Sequence, residues 1–279
     1  MTENVPHSSV ANAQPHFVSV GKNRIHYVTI GRGSHTLVFV HGWACNLGFW
    51  REQIAVLADR ARLILIDLPG HGQSGQPQTA YTMDFFAEAV LAVLRDAKVD
   101  KATFIGHSMG GAVLCRVHHH APEKFAALVS VDGLLCRPPG TPAEARALVG
   151  PFASPQYREH AQGFISHSFF PIPGTEPLRD RVMSEMLATP QHVMFGAMLG
   201  MFGPDQPDWI LQRIAAPVLV INSRSPWWNA AYENYVRSLS PQSDYVTMED
   251  VGHFIMLEQP ASFNALLTDW LRKHDLIGK

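Results

Sequence analysis

The chain has 279 residues, 46% of them apolar and 16% charged, with Lys and Arg numbering 22 against 24 for Asp and Glu. This is the composition of a folded globular chain, long enough to bury roughly 75% of the surface it exposes when unfolded. A formal charge of −2 leaves no basic excess to grip phosphates, which excludes a nucleic-acid footprint as the expectation. No stretch reaches the roughly 18 consecutive apolar residues of a membrane-spanning helix. Residues 1–15 lack the basic start and apolar run of a signal peptide. Cys45, Cys115 and Cys136 form an odd set without metal-like spacing, so free thiols in a reducing cytoplasm are expected.

Residues 1–15 are polar and read as a loose arm. From Phe17 to Ile30 apolar and polar residues alternate around a break at Gly21–Asn23, which predicts a hairpin of Phe17–Val20 and Arg24–Ile30. Short apolar runs then alternate with helical patterns. Strands are predicted at Thr36–Val40, Arg62–Ile66, Ala102–Ile105 and Ala126–Val131, with helices at Leu47–Ala58, Met83–Asp96 and Met109–His120. Uninterrupted apolar strands separated by helices indicate an α/β fold whose mostly parallel sheet is covered on both faces.

The rhythm stops over residues 134–210. Prolines recur there at 138, 139, 142, 151, 155, 171, 173, 177, 190, 204 and 207, between helical pieces rich in Met and Phe, notably Arg179–Leu187 and His192–Met201. The segment is too apolar for a linker and reads as an inserted helical cap on a core formed by 16–133 and 211–279. The rhythm returns with Val218–Ile221 (strand), Ala230–Leu239 (helix), Tyr245–Met248 (strand) and Ala261–Lys273 (helix).

Gly106-His107-Ser108-Met109-Gly110 matches G-x-S-x-G. A chain of this size gives about 0.1 such matches by chance, so position decides its meaning. Here it follows a predicted strand and opens a predicted helix. A sharp strand-to-helix turn strains the Ser backbone, and glycines two residues either side let strand and helix approach. A Ser hydroxyl needs a base to take its proton, and His does this near neutral pH when a partner fixes its tautomer. His253 follows a Gly after the last predicted strand, where it can reach the C-terminal edge of the sheet.

With these residues in place, the chain resembles the α/β-hydrolase superfamily from Phe17 to Lys273. His41-Gly42 after a strand is similar to the family's oxyanion-loop motif. Asp67-Leu68-Pro69-Gly70-His71-Gly72-Gln73-Ser74 is similar to the turn after its next strand. Gly252-His253-Phe254 with Glu258-Gln259-Pro260 is similar to its C-terminal histidine loop. The resemblance implies Ser108 as nucleophile and His253 as base, with the backbone N–H groups of Met109 and Trp43 as oxyanion donors. His41 fits the role of a turn-fixing residue, and with His107 it is also a candidate substrate contact.

The acid departs from the usual pattern. Most members place it after the penultimate strand, but Asn222-Ser223-Arg224-Ser225-Pro226-Trp227-Trp228 contains no carboxylate. A minority carries it after the strand that follows the nucleophile helix, where Asp132 stands here. Asp132 is therefore the expected acid, although an Asp at that position also caps the following segment in members whose acid lies elsewhere. Asp205, Asp208, Glu249 and Asp250 are the other carboxylates to consider. Trp227, Trp228, Phe169 and Met198 are expected to line a substrate pocket, since flexible Met and aromatic side chains suit an apolar acyl or aromatic group. His118-His119-His120 lies on a helix, where successive residues point about 100° apart, so the three do not converge on one ion.

The expected function is hydrolysis of a small or medium apolar carboxylic ester or lactone through a serine acyl-enzyme, with a small-molecule substrate, no cofactor and no metal. The alternatives are a cofactor-independent dioxygenase of N-heteroaromatic substrates, which some superfamily members with a similarly placed His–Asp dyad are, and a non-catalytic ligand receptor on the same fold. Oligomeric state is left open.

Overall fold

The computed structural model describes residues 13–136, 141–203 and 211–278. Most of the expected arm, the prolines at 138, 139, 204 and 207, and both Asp205 and Asp208 lie outside them. Within the described residues an eight-stranded sheet forms from β1 (Gln14–Val20), β2 (Asn23–Ile30), β3 (Thr36–Val40), β4 (Arg62–Ile66), β5 (Ala102–His107), β6 (Phe125–Val131), β7 (Val218–Ser223) and β8 (Asp244–Met248), in the order β1-β2-β4-β3-β5-β6-β7-β8. β1 and β2 enter antiparallel, and every pair from β4 to β8 is parallel.

Burial follows the sequence pattern. β5 and β7 are buried at every residue, whereas the edge strand β1 alternates between exposed and half-buried positions. The central strands are covered by α1 (Arg51–Leu57), α2 (Met83–Asp96), α3 (Met109–His120), α8 (Ala230–Leu239), α9 (Ile255–Glu258) and α10 (Pro260–Lys273), and further helices lie in the chain between β6 and β7. Those last are α4 (Pro142–Val149), α5 (Tyr157–Phe164), α6 (Glu176–Met186) and α7 (Gln191–Phe202). Burying a Leu, Ile or Phe side chain in such a core contributes roughly 1.5–3 kcal/mol. Among the described residues no helix is long and apolar enough to cross a membrane.

Several boundaries shift by one to three residues from the sequence reading, and three of the differences carry structural meaning. β1 begins at Gln14, which pairs with Thr29, so residues 14 and 15 belong to the sheet rather than to the arm. The expected helix Leu47–Ala58 is split into a 3₁₀ turn, Leu47–Trp50, and α1, because the Asn46 side chain accepts the Gly48 N–H and starts a tighter turn there. β5 runs on to His107, which pairs with Val131 of β6. Strand pairing therefore persists to the residue before Ser108.

Register places the site. Val40 pairs with Gly106, His107 with Val131, and Val131 with Ile221. The ladder continues one step further, with Ser108 donating its N–H to Val131 (3.1 Å) and Asp132 donating to Ile221 (2.8 Å). Ser108 and Asp132 thus leave adjacent parallel strands at one level on the C-terminal edge, the edge where open α/β sheets bind ligands.

Candidate active site

Ser108 has φ 52° and ψ −118°, and Asp132 has φ 42°. Side chains with a Cβ rarely adopt this region, and holding one there costs of order 1–3 kcal/mol. The surroundings impose it. The Ser108 carbonyl accepts N–H groups from Gly111 (2.9 Å) and Leu134 (3.2 Å), locking the turn to α3 and to the segment after β6. Gly110 is required by close approach, because a Cβ there would lie 2.3 Å from the Val40 carbonyl.

His253 Nδ1–H donates to Asp132 Oδ2 at 2.6 Å, and Asp132 Oδ1 accepts the Ser223 amide at 2.6 Å. The carboxylate is 3% exposed. With Nδ1 committed to a carboxylate, Nε2 keeps the lone pair. The end of β7 carries no acid of its own; it holds Asp132 from the side through a backbone N–H. That contact escaped the sequence reading because a backbone amide leaves no residue-type signal.

His253 sits on a loop gripped by Glu258, whose two carboxylate oxygens accept the N–H groups of Gly252 (2.8 Å) and Phe254 (2.9 Å). Burial pushes the Glu258 carboxyl above its ordinary range, and these two amides oppose that shift. His107 Nε2–H donates to the His253 carbonyl at 3.0 Å.

Ser108, Asp132 and His253 line one cavity of about 380 Å³. Trp43, Leu134, Leu148, Phe164, Met198 and Phe202 supply apolar walls, while His167, Ser168, Arg224 and Ser225 supply polar ones. Trp227 and Trp228 also line it; Trp227 is 51% exposed, and Trp228 packs on Tyr232 with ring centres 4.9 Å apart. Phe169 lies against His253. Leu148, His167, Arg224 and Ser225 were not foreseen, since nothing local marks which face of a helix or turn meets the cavity. Arg224 is paired with Glu249, so that carboxylate is engaged away from His253.

Two expected substrate contacts are corrected. His41 and His107 are buried behind the cavity and do not line it. His41 Nδ1–H donates to the Gly42 carbonyl (2.8 Å), and its Nε2 accepts the Leu68 N–H (3.0 Å). It ties the loop after β3 to the turn after β4. His71 does the same, accepting the Ala44 N–H on Nε2 (3.2 Å) and donating from Nδ1 to the Pro69 carbonyl (2.9 Å). Asp67 adds a third tie by accepting the Leu47 N–H at 2.8 Å. Burial holds His41 and His107 below the ordinary His range and pushes His71 down to about 3, so all three are neutral imidazoles.

The indole N–H of Trp43 donates to the Met194 carbonyl (2.9 Å), joining the loop after β3 to α7. Met109 is fully buried and opens α3, so its backbone N–H has no partner within the helix. Cys45 is buried with its thiol pushed up by burial, and its Sγ–H faces the Trp43 carbonyl. The three successive histidines diverge: His118 packs edge-on to Phe125, His119 meets Gln212, and His120 meets Asp84. Among the described residues no group of three or more His, Cys, Asp or Glu is placed to hold a metal ion.

Comparison with known proteins gives a consistent result. The family profile described as alpha/beta hydrolase fold matches residues 35–260. The chain is 27% identical to the dihydrolipoyllysine-residue acetyltransferase component of the acetoin cleaving system of Cupriavidus necator, over 92% of this chain and 69% of that protein. It is 28% identical to 3-oxoadipate enol-lactonase 2 of Acinetobacter baylyi, over 86% of this chain and 90% of that protein. Its structure is similar to that of a thermophilic esterase from Thermogutta terrifontis, with a TM-score of 0.81, 22% identity and coverage of 94% of this chain and 99% of that one, a likeness that shows the fold. With its sheet order, its strand-end serine and this match over most of its length, the chain belongs to the alpha/beta hydrolase fold family.

Proposed function

We propose that the protein is a serine hydrolase of small or medium apolar carboxylic esters or lactones. The observation that carries this reading is the convergence of Ser108, His253 and Asp132 on one mainly apolar cavity, with the His253–Asp132 contact at 2.6 Å. Similarity to an enol-lactonase supports it. The helices α4 to α7 act as a cap over this edge of the sheet, and the three free thiols fit a cytoplasmic location.

In this mechanism Ser108 Oγ attacks the ester carbonyl carbon while its proton passes to His253 Nε2. Asp132 holds the ring and offsets the imidazolium charge. The carbonyl π electrons move onto oxygen, and the N–H groups of Trp43 and Met109 donate hydrogen bonds to that oxyanion, two fixed donors together lowering the barrier by several kcal/mol. Collapse breaks the bond to the leaving oxygen, which takes the proton from His253. Water, deprotonated by the same Nε2, then attacks the acyl-enzyme, releasing the acid and restoring Ser108.

The test is hydrolysis of p-nitrophenyl butyrate by wild type and Ser108→Ala. Turnover that falls at least 10³-fold in the variant, of the order seen when a triad member is removed, is expected. Turnover that survives in Ser108→Ala overturns the acyl-enzyme; oxygen uptake with an N-heteroaromatic substrate would then point to a dioxygenase built on the His253–Asp132 dyad.

A further inference from the structure

Ser108 and Asp132 are fixed by the sheet, whereas His253 is carried by a loop and depends on its neighbours for its aim. Asp132 holds the ring nitrogen, Glu258 the flanking amides and His107 the carbonyl. The remaining side comes from the helical segment between β6 and β7. There α5 runs into a π-helical turn, Ile165–Phe169, whose last residue accepts the His253 N–H on its carbonyl at 2.9 Å. The Phe169 ring lies nearly parallel to the imidazole, with centres 4.3 Å apart and planes inclined by 22°.

This contact is built from both sides. A Cβ at position 252 would lie 2.4 Å from the Phe169 carbonyl, so Gly252 is what lets the two segments meet. The edge of Phe164 meets Phe169 at 5.2 Å, and Phe170 stacks on Phe254 at 5.4 Å, flanking the pair. Wide π turns of this kind recur at functional sites because they re-aim one residue out of the helical repeat.

We propose that Phe169 is a positioning residue for His253, so that the helical segment takes part in activating Ser108 as well as walling the cavity. The inference rests on the serine-hydrolase reading. An imidazole free to turn about its side-chain bonds loses either the Asp132 contact or the line to Ser108. A ring packed flat on one face removes that freedom, and displacement of a reacting group by about 1 Å can cost 100-fold in rate.

The experiment compares wild type, Phe169→Leu and Phe169→Tyr in three measurements: labelling rate with a small fluorophosphonate, kcat and KM for p-nitrophenyl acetate and p-nitrophenyl hexanoate, and melting temperature. Phe169→Leu should label about tenfold more slowly and lose about tenfold in kcat on both esters. Its KM for the acetate should stay near wild type, and Phe169→Tyr should restore both rates. Phe169→Met carries the same expectation should the Leu variant not fold. Unchanged labelling, or a loss confined to KM for the hexanoate, would show a wall and nothing more, and overturns the inference. Wild-type protein that neither labels nor turns over an ester overturns the hydrolase reading, and this inference with it.

Discussion

Asp132 combines three unusual properties in one residue: positive φ, near-complete burial and a 2.6 Å contact with His253. A buried carboxylate is costly unless its lone pairs are used, and here Oδ1 takes the Ser223 amide while Oδ2 takes the histidine. Asn at this position keeps the size and the backbone conformation but removes the charge that offsets imidazolium. Asp132→Asn should therefore keep its melting temperature within a few degrees and lose about 10³–10⁴-fold in kcat. Steady-state kinetics on p-nitrophenyl butyrate checks this, and turnover within tenfold of wild type would return the acid to another carboxylate.

The loop after β3 and the turn after β4 behave as one element. His41, His71 and Asp67 join them through three hydrogen bonds to backbone amides, and Trp43 joins the loop to α7. If Trp43 supplies an oxyanion N–H, these ties decide where it points, because a loop amide has no ladder to hold it. His71→Leu leaves the Ala44 N–H and the Pro69 carbonyl without their partner in a buried place. Each such group costs about 1–3 kcal/mol. The expected outcome is a lower urea midpoint together with a fall in kcat of about 10–100-fold at little change in KM. Normal kcat in a destabilised variant would show that the ties serve stability alone.

At the level of the whole molecule, the buried neutral histidines make stability depend on pH. His41, His71 and His107 have folded pKa values below the ordinary His range because burial disfavours the imidazolium. Below about pH 6.5 the unfolded chain binds a proton at each of these positions and the folded protein does not, so stability is lost as pH falls. The slope is about 1.4 kcal/mol per pH unit for each such group, until its folded pKa is passed. That point is about 3 for His71. Asp67 acts in the same sense: burial raises its carboxyl, but hydrogen bonds from His26, Gln73 and Leu47 outweigh that and hold it low. Urea midpoints at pH 7.5 and 5.0 should differ clearly in wild type and less in His71→Leu. Equal midpoints in wild type would mean that these histidines protonate without unfolding.

The sequence by itself determined the alternation of strands and helices in the core and the place of the serine. Those signals are local: an apolar run of five or six residues, a helical period, a Gly-Ser-Gly turn between them. It also determined that the turn after β7 holds no acid, which left Asp132 as the expected one. Only the tertiary structure decided that Asp132 and His253 touch, that His41 and His107 stand behind the cavity, and that Phe169 stacks on His253. Each of these depends on strand register or on the landing point of a loop, and joins residues far apart in the chain. Their energies come from packing between segments, which local sequence does not encode.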